Sequence, residues 1–519
     1  MKGPIARRAK TNEERTTEQM RRAKRKSHAL VEIPAARASA LESIVLELCN
    51  AVWQCEITRL YALQNLDSLR IRTGTIYSGG DFIRFILDAI ASKLKMVSGN
   101  KINFQFVWEF SCEKWQPAMK MAKLIYGERT LIFKKAEDLG KPKGRADAYG
   151  FSKPQPIPDC DLLIFGFYCG EFSPLYTNRD NGGDVIEFAQ GESGKTWRYA
   201  MAYASWAKPA LVCVENSDKF DWEQNGRSGL VEAEKDLHNN GYILRGHQHM
   251  EASTWGRDPQ NRSRVYLHAR VSSSIHQAPQ FSHKDILAFI RPRLPTRDIE
   301  DYLMDGQTAL GDCWMSKEIW TKKRQMDKAF PKDMERCRQA YVDRGLPWPP
   351  PVWIESDDDS FSCSSNPSVW GLPPDAVIIL HGIKKRQPAI LYAHVVRALT
   401  TKPQPGTVTW FHGEMSWKFS KKSPENSKLC PTLTSKSQFV LLHFPSNGQA
   451  PQLRWLSPVE AFHLQGCKLS DILSSAQFAG AVHMFSRNEL TRLAGQSFHF
   501  PSCAYYVLAA LLEQRLCSH

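Results

Sequence analysis

An alternation along the chain constrains its fold most. Between residues 74 and 271 short apolar runs recur, at 74–78, 103–111, 130–133, 161–167, 210–215, 242–246 and 264–271. Helix candidates lie between them, such as 81–94 and 196–207. Buried apolar strands joined by helices predict a largely parallel sheet of the α/β class. From about 280 to 450 the alternation stops. That stretch holds many Pro and Trp, as in Gly345–Trp353, and an acidic-serine run at 355–368 that reads as a solvent loop. A second, smaller and more irregular domain is expected there. Regular texture returns near 453 and ends in a predicted helix over 502–516.

With 519 residues, the chain has room for one large or two to three ordinary domains. Its 42% hydrophobic content excludes a wholly disordered chain. No apolar segment approaches the length of a membrane span, and the first residues lack the apolar core of a secretory signal. No repeat of fixed period is visible.

Charge is uneven. Residues 1–28 carry ten Lys and Arg against three Glu, half of the net +14. This stretch reads as a disordered basic arm, densest at Arg21–Lys26. It suits nucleic-acid contact or nuclear import, or else it is a solvated tail. Residues 36–65 place apolar side chains at helical spacing. The 13 cysteines include no CxxC pair, so reduced thiols are expected, most of them in the core. His247 and His249 lack spaced partners, and no metal site is expected.

Several constellations carry chemistry. A strand runs into Gly79-Gly80 and then a helix, which lets backbone approach a ligand, although an ordinary βα turn also favours glycine. Glu113 ends the next strand, where a carboxylate accepts ribose hydroxyls; its bland reading is a surface glutamate. Cys169 follows the apolar run 161–167 and is a candidate nucleophile or a core thiol. Glu215 and Asn216 end another strand, where a carboxyl acts as acid or hydrogen-bond donor. Arg262 and Arg264 share one face, as suits a phosphate or a base carbonyl, or an exposed edge. Residues 189–196 fit a relaxed phosphate-loop pattern with Lys195 and Thr196, but Ala189 stands where the first glycine belongs.

In order and spacing these pieces resemble the cytosine-C5 DNA methyltransferase family. The resemblance rests on the glycine turn, "SCE", "GFYCGEFS", "ENS", "QNRSR", "LSPVEAFHLQG" and "AGQSF", over about 72–271 and 452–513. It implies a Rossmann-like domain that binds S-adenosylmethionine and a target-recognition domain at 280–450. The implied division is a basic arm (1–30), a helical extension (31–70), the catalytic domain (71–279), the recognition domain (280–450) and a returning segment (451–519). DNA is the implied partner, with RNA as the alternative, in a nuclear setting and with no membrane contact.

The resemblance also implies roles. Cys169 matches the nucleophile that adds to C6 of a flipped cytosine. Glu215 matches the glutamate that holds a proton to N3. Arg264 and Arg262 match the arginines at the cytosine carbonyl. Tyr77, Ser78, Gly79 and Gly80 match the turn along the cofactor, Glu113 the ribose carboxylate, and Gln496 and Ser497 the motif that closes on the cofactor. Arg454, Glu460 and Gln465 match a motif that supports the recognition domain. The chain departs from the family at Tyr168 and Gly170, which flank the cysteine in place of Pro and Gln. It departs also at Ser217, at Gln496, at a shortened glycine turn, and at Lys135, where an acidic residue is usual and Asp138 is the nearest substitute. A catalytically silent relative and a phosphate-loop NTPase are the remaining alternative readings.

Overall fold

The computed structural model describes residues 49–50, 69–127, 130–141, 145–146, 154–172, 182–223, 227–256, 258–272, 282–293, 297–303, 367–380, 387–412, 428–434, 439–466 and 485–516, with isolated positions between 335 and 345. The basic arm, most of the helical extension and nearly all of the acidic-serine run lie outside these residues.

A seven-stranded sheet is built from β1 (Leu69–Ile76), β2 (Phe104–Cys112), β3 (Leu131–Phe133), β4 (Leu162–Gly166), β5 (Leu211–Ser217), β6 (Tyr242–Glu251) and β7 (Ser263–Val271). Their spatial order is β3-β2-β1-β4-β5-β7-β6. The first five strands are parallel, as the apolar runs predict. β7 runs antiparallel between β5 and β6. Sequence pattern does not reveal this reversal, because apolar runs carry no direction.

Side chains alternate across the sheet with period two. Leu162 and Ile164 of β4 enter one core layer, and Leu163 and Phe165 enter the other. The first layer is covered by α1 (Ile83–Val97) and by α9 (Phe500–Leu516). Helix α1 buries Ile83, Ile86, Leu87, Ile90, Ala91 and Leu94, a single stripe at helical spacing. Helix α9 is apolar all round and correspondingly buried over its described side chains, with Tyr505, Tyr506 and Leu508 in the core. The short helix α5 (His283–Ile290) packs beside it. Helices α2 (Gln116–Tyr126) and α8 (Arg487–Gln496) extend this layer. The second layer is covered by α3 (Gly191–Ala207) and α4 (Gly229–Asn239), whose first turn is capped by Ser228.

A smaller four-stranded sheet has the order β8-β11-β10-β9, from β8 (Val377–Ile379), β9 (Thr407–His412), β10 (Phe439–Phe444) and β11 (Gln452–Trp455). Helix α6 (Gln387–Thr400) buries Leu391, Val395 and Ala398 against Val440, Leu442, Leu453 and Trp455 of this sheet. This unit is more regular than its Pro and Trp content suggested. The expected division at 450/451 also shifts. Strand β11 hydrogen-bonds to β8 and β10 inside the smaller sheet, so the return to the main sheet begins after it. Helix α7 (Pro458–Leu464) follows, closed by a reciprocal Ser457–Glu460 cap. The smaller unit joins the main one through Gln260 and Cys430, where Asn261 N donates to Cys430 O at 2.8 Å. Among the described residues no helix is long and apolar enough to cross a membrane.

Candidate active site

The strand order reverses between β1 and β4, and ligands of doubly wound sheets bind beyond the carboxyl ends of strands at such a point. The sequence-predicted residues gather there. Tyr77–Asp81 follow β1, Glu113 follows β2, Cys169 follows β4, and Glu215 lies near the end of β5.

The turn after β1 is forced into unusual backbone. Tyr77, Gly79, Gly80 and Asp81 all have positive φ. At Gly79 (φ 81°) a Cβ would lie 2.6 Å from the Gln496 carbonyl oxygen, so only glycine fits. The turn is held from three sides. Glu113 Oε1 accepts from Gly79 N at 2.7 Å, from Gly80 N at 3.1 Å and from Ser78 Oγ at 3.3 Å. Asp81 is fully buried and accepts from the hydroxyls of Thr75, Ser78 and Ser111. Ser497 Oγ donates to Gly79 O at 3.1 Å. Burial, and then the charge of Asp81, push the Glu113 carboxyl up to about 8. Burial likewise raises Asp81. Asp81 is a site residue that the motif comparison missed. Its signal was present in sequence, as an acidic residue on the turn where a further glycine is usual.

The Cys169 loop is braced at both ends by β5. Asn216 Nδ2 donates to Phe167 O at 3.1 Å, and Ser217 Oγ donates to Phe172 O at 3.0 Å. Tyr168 N donates to Thr196 Oγ1 at 3.0 Å. Glu171 accepts from the Glu192 and Ser193 amides at the start of α3. A Cβ on Gly170 would lie 2.2 Å from the Tyr168 ring, so the two departures flanking the cysteine fit one another. Burial pushes the Cys169 thiol up. Arg264 and Arg262 pull it down, and Glu215 opposes them. Arg264 Nε lies 3.0 Å from Glu215 Oε1, an ion pair across β5 and β7.

Arg262 lies near enough to Cys169 and Glu215 to interact with both, and it also ties distant backbone. It is buried, and it donates through Nη1 to Leu433 O at 2.7 Å and through Nη2 to Ser497 O at 2.8 Å. Both terminal nitrogens thus hold backbone of the smaller unit and of the returning segment. Arg454 and Glu460 form a fully buried pair with contacts of 2.6 and 2.8 Å. Lys135 is exposed beside Glu137, and Asp138 is half-buried.

The phosphate-loop pattern does not form a phosphate loop. Lys195 and Thr196 lie inside α3, preceded by a short helix (Gly182–Glu187) in place of a strand, and Thr196 Oγ1 bonds the Glu192 and Ser193 carbonyls. His249 pairs with Asp221 at 2.8 Å.

Residues 99–478 match the family model described as C-5 cytosine-specific DNA methylase. A DNA (cytosine-5-)-methyltransferase DMT5 of Cryptococcus neoformans is 30% identical over 216 residues, 41% of this chain and 8% of that protein. Type II methyltransferase M.Bsp6I of a Bacillus species is 30% identical over 115 residues, 22% of this chain and 34% of that protein. The chain therefore spans well under two thirds of either relative. Among solved structures, a Schizosaccharomyces pombe Dnmt2 methyltransferase has a TM-score of 0.41 at 14% identity, covering 86% of this chain and 98% of that one. A putative DNA modification methyltransferase encoded within an Escherichia coli prophage has a TM-score of 0.41 at 15% identity, covering 85% and 98%.

Proposed function

The chain belongs to the C-5 cytosine-specific DNA methylase family, and from that premise we propose that it transfers a methyl group from S-adenosylmethionine to C5 of cytosine in DNA, through a covalent adduct at Cys169. The observation that carries this reading is the Cys169 loop, braced by Asn216 and Ser217 beside the Glu215–Arg264 pair.

The cofactor supplies an electrophilic methyl group. The glycine turn and Glu113 have the donor and acceptor types that its nucleoside requires. The hydrogen bonds from the turn end on Glu113 Oε1, and Oε2 is assigned to the ribose hydroxyls. Gln496 and Ser497 back the turn.

The target base is flipped out of the stack. A proton held between Glu215 and N3 draws electrons from C6 and makes it electrophilic. Cys169 gives up its proton to solvent, its sulfur forms a bond to C6, and the displaced C5–C6 π electrons move toward C4 and N3, which leaves C5 nucleophilic. Arg264 holds Glu215 and offsets charge at the cytosine carbonyl. The cofactor, held by the glycine turn and Glu113, would supply the methyl group to C5 as its own S–CH3 bond breaks to leave a neutral thioether. A base then removes the C5 proton, the S–C6 bond breaks, and the double bond returns. Arg262 is a positioning residue, since Nη1 and Nη2 donate to Leu433 O and Ser497 O, while its Nε has no hydrogen-bond partner among the described residues. The 367–455 unit is assigned to target recognition, and the basic arm to nucleic-acid contact and nuclear import.

The experiment is a covalent trap. A duplex with 5-fluorocytosine at the target position, incubated with protein and cofactor, is expected to yield an adduct mapping to Cys169. An adduct with the RNA analogue alone would move the substrate to RNA. No adduct with either, despite cofactor binding, would overturn the covalent mechanism.

A further inference from the structure

We infer that His268, His283 and Glu513 form a divalent metal site of the zinc class that clamps helix α9 to the main sheet. The three residues come from β7, the first turn of α5 and the far end of α9. All are buried, and one ligand atom of each lies within 4.8 Å of the others. His268 Nε2 is 3.0 Å and His283 Nδ1 is 3.4 Å from Glu513 Oε2. Zinc bonds of about 2.0–2.2 Å at tetrahedral angles separate neighbouring ligands by roughly 3.3–3.6 Å; the two edges to Glu513 are already near that spacing, and the edge between the imidazoles, within 4.8 Å, has to close on the ion.

One hydrogen-bond arrangement around Tyr506 calls for a cation there. Tyr506 has one hydroxyl hydrogen, and it donates to Gly246 O at 3.0 Å, an atom that can only accept. With that hydrogen on Gly246 O, the 2.9 Å contact between Tyr506 Oη and His268 Nδ1 is one in which the imidazole donates. Neutral His268 then presents the bare lone pair of Nε2 to a carboxylate oxygen, which is repulsive. A second proton or a metal ion relieves it.

His283 decides between them. Neither of its ring nitrogens has a hydrogen-bond partner, although both are buried. An orphaned buried polar atom is costly. A proton on His268 leaves both ring nitrogens of His283 without a partner, whereas a metal ion takes one of them together with His268 Nε2 and Glu513 Oε2. The surroundings suit a ligand set. Tyr506 fixes the His268 tautomer, as outer-shell partners of metal-bound histidines do. A Cβ on Gly246 would lie 2.0 Å from His283 Cε1, so the ring's place depends on that glycine. Arg245, bulged from the β6–β7 pairing, lies 3.4 Å from Glu513 Oε1, while Oε2, which also accepts from the His283 amide at 3.1 Å, faces the two imidazoles. Three protein ligands leave the fourth position to water.

The test uses the full chain purified without chelator. Elemental analysis is expected to find about one zinc per chain. After stripping, cobalt(II) should restore one equivalent, with visible d–d bands and without thiolate charge-transfer absorption in the near ultraviolet. His283→Ala should lose the bands, and chelator should lower the Tm of the unaltered protein but not of His283→Ala. Thiolate charge transfer in the unaltered protein would put the metal on cysteines and overturn the site, even if His283→Ala fails to fold. Absence of zinc together with no cobalt spectrum would overturn it, as would a full equivalent retained by folded His283→Ala.

Discussion

The amide of Gly79 donates to Glu113 Oε1 at 2.7 Å, which ties the turn after β1 to the carboxylate after β2. Burial beside Asp81 pushes Glu113 up to about 8 from an ordinary 4.5. The folded value is raised, so the folded state holds more protons than the unfolded one between these values. Its contribution to stability is full below about pH 4.5, declines as pH rises, and is lost above about pH 8. Urea unfolding between about pH 5 and pH 9 should show this decline, and Glu113→Gln should flatten it. An unchanged slope in Glu113→Gln would assign the titration elsewhere.

Cofactor binding should release a proton near neutrality. Glu113 is largely protonated there without ligand, and ribose hydroxyls favour its ionised form. Calorimetry in two buffers of different ionisation enthalpy should give different apparent enthalpies at about pH 7. Equal enthalpies would contradict the assignment of Glu113 to the ribose.

Gly79→Ala forces a Cβ against the Gln496 carbonyl at positive φ. It should destabilise the fold by about 1–3 kcal/mol and weaken cofactor binding more than tenfold. Ser497→Ala loses a buried hydrogen bond without moving backbone, at about 1 kcal/mol. Chemical denaturation of both variants checks the ranking, which would fail if Ser497→Ala were the more damaging.

Cys169→Ser should abolish methyl transfer while cofactor affinity stays near that of the unaltered chain. Ser217→Ala should keep the nucleophile but loosen its loop at Phe172, lowering kcat by about 10- to 100-fold. Single-turnover methylation assays separate the two. A fully active Cys169→Ser would end the covalent reading.

Glu460→Gln leaves the Arg454 guanidinium, fully buried, without its counter-charge. Unfolding free energy should fall by about 3–5 kcal/mol, read by urea denaturation. The double variant Arg454→Met/Glu460→Leu should recover much of it, because the hydrophobic pair removes both desolvated charges. A double variant no better than the single would argue against a desolvation origin.

The chemistry-bearing residues at strand ends were legible, because apolar runs mark strands and the sheet's parallel order brings their carboxyl ends together. Gly79, Glu113, Cys169 and Glu215 converge for that reason. What pattern could not supply was partnership across distance. Nothing local distinguishes the Ser217 hydroxyl that reaches Phe172, or the Arg262 donors that reach Ser497 and Leu433. The antiparallel β7 was invisible because direction depends on register and connection. His268, His283 and Glu513 escaped notice because metal-ligand spacing in sequence presupposes ligands on neighbouring turns, and these lie on three separate elements. Strand β11 alternates polar and apolar residues over only four positions, a pattern that fits either sheet and so does not reveal its partners.

Gly79 and Ser497 stand 418 positions apart. At about 5–20 residues per second of synthesis, the turn is made roughly 20–80 s before the serine that backs it. A nascent chain carrying all of β1 to β5 therefore holds an open-sided pocket until the segment after β11 has been made. Competence to hold a nucleoside arrives late and abruptly, with the segment that closes over the turn.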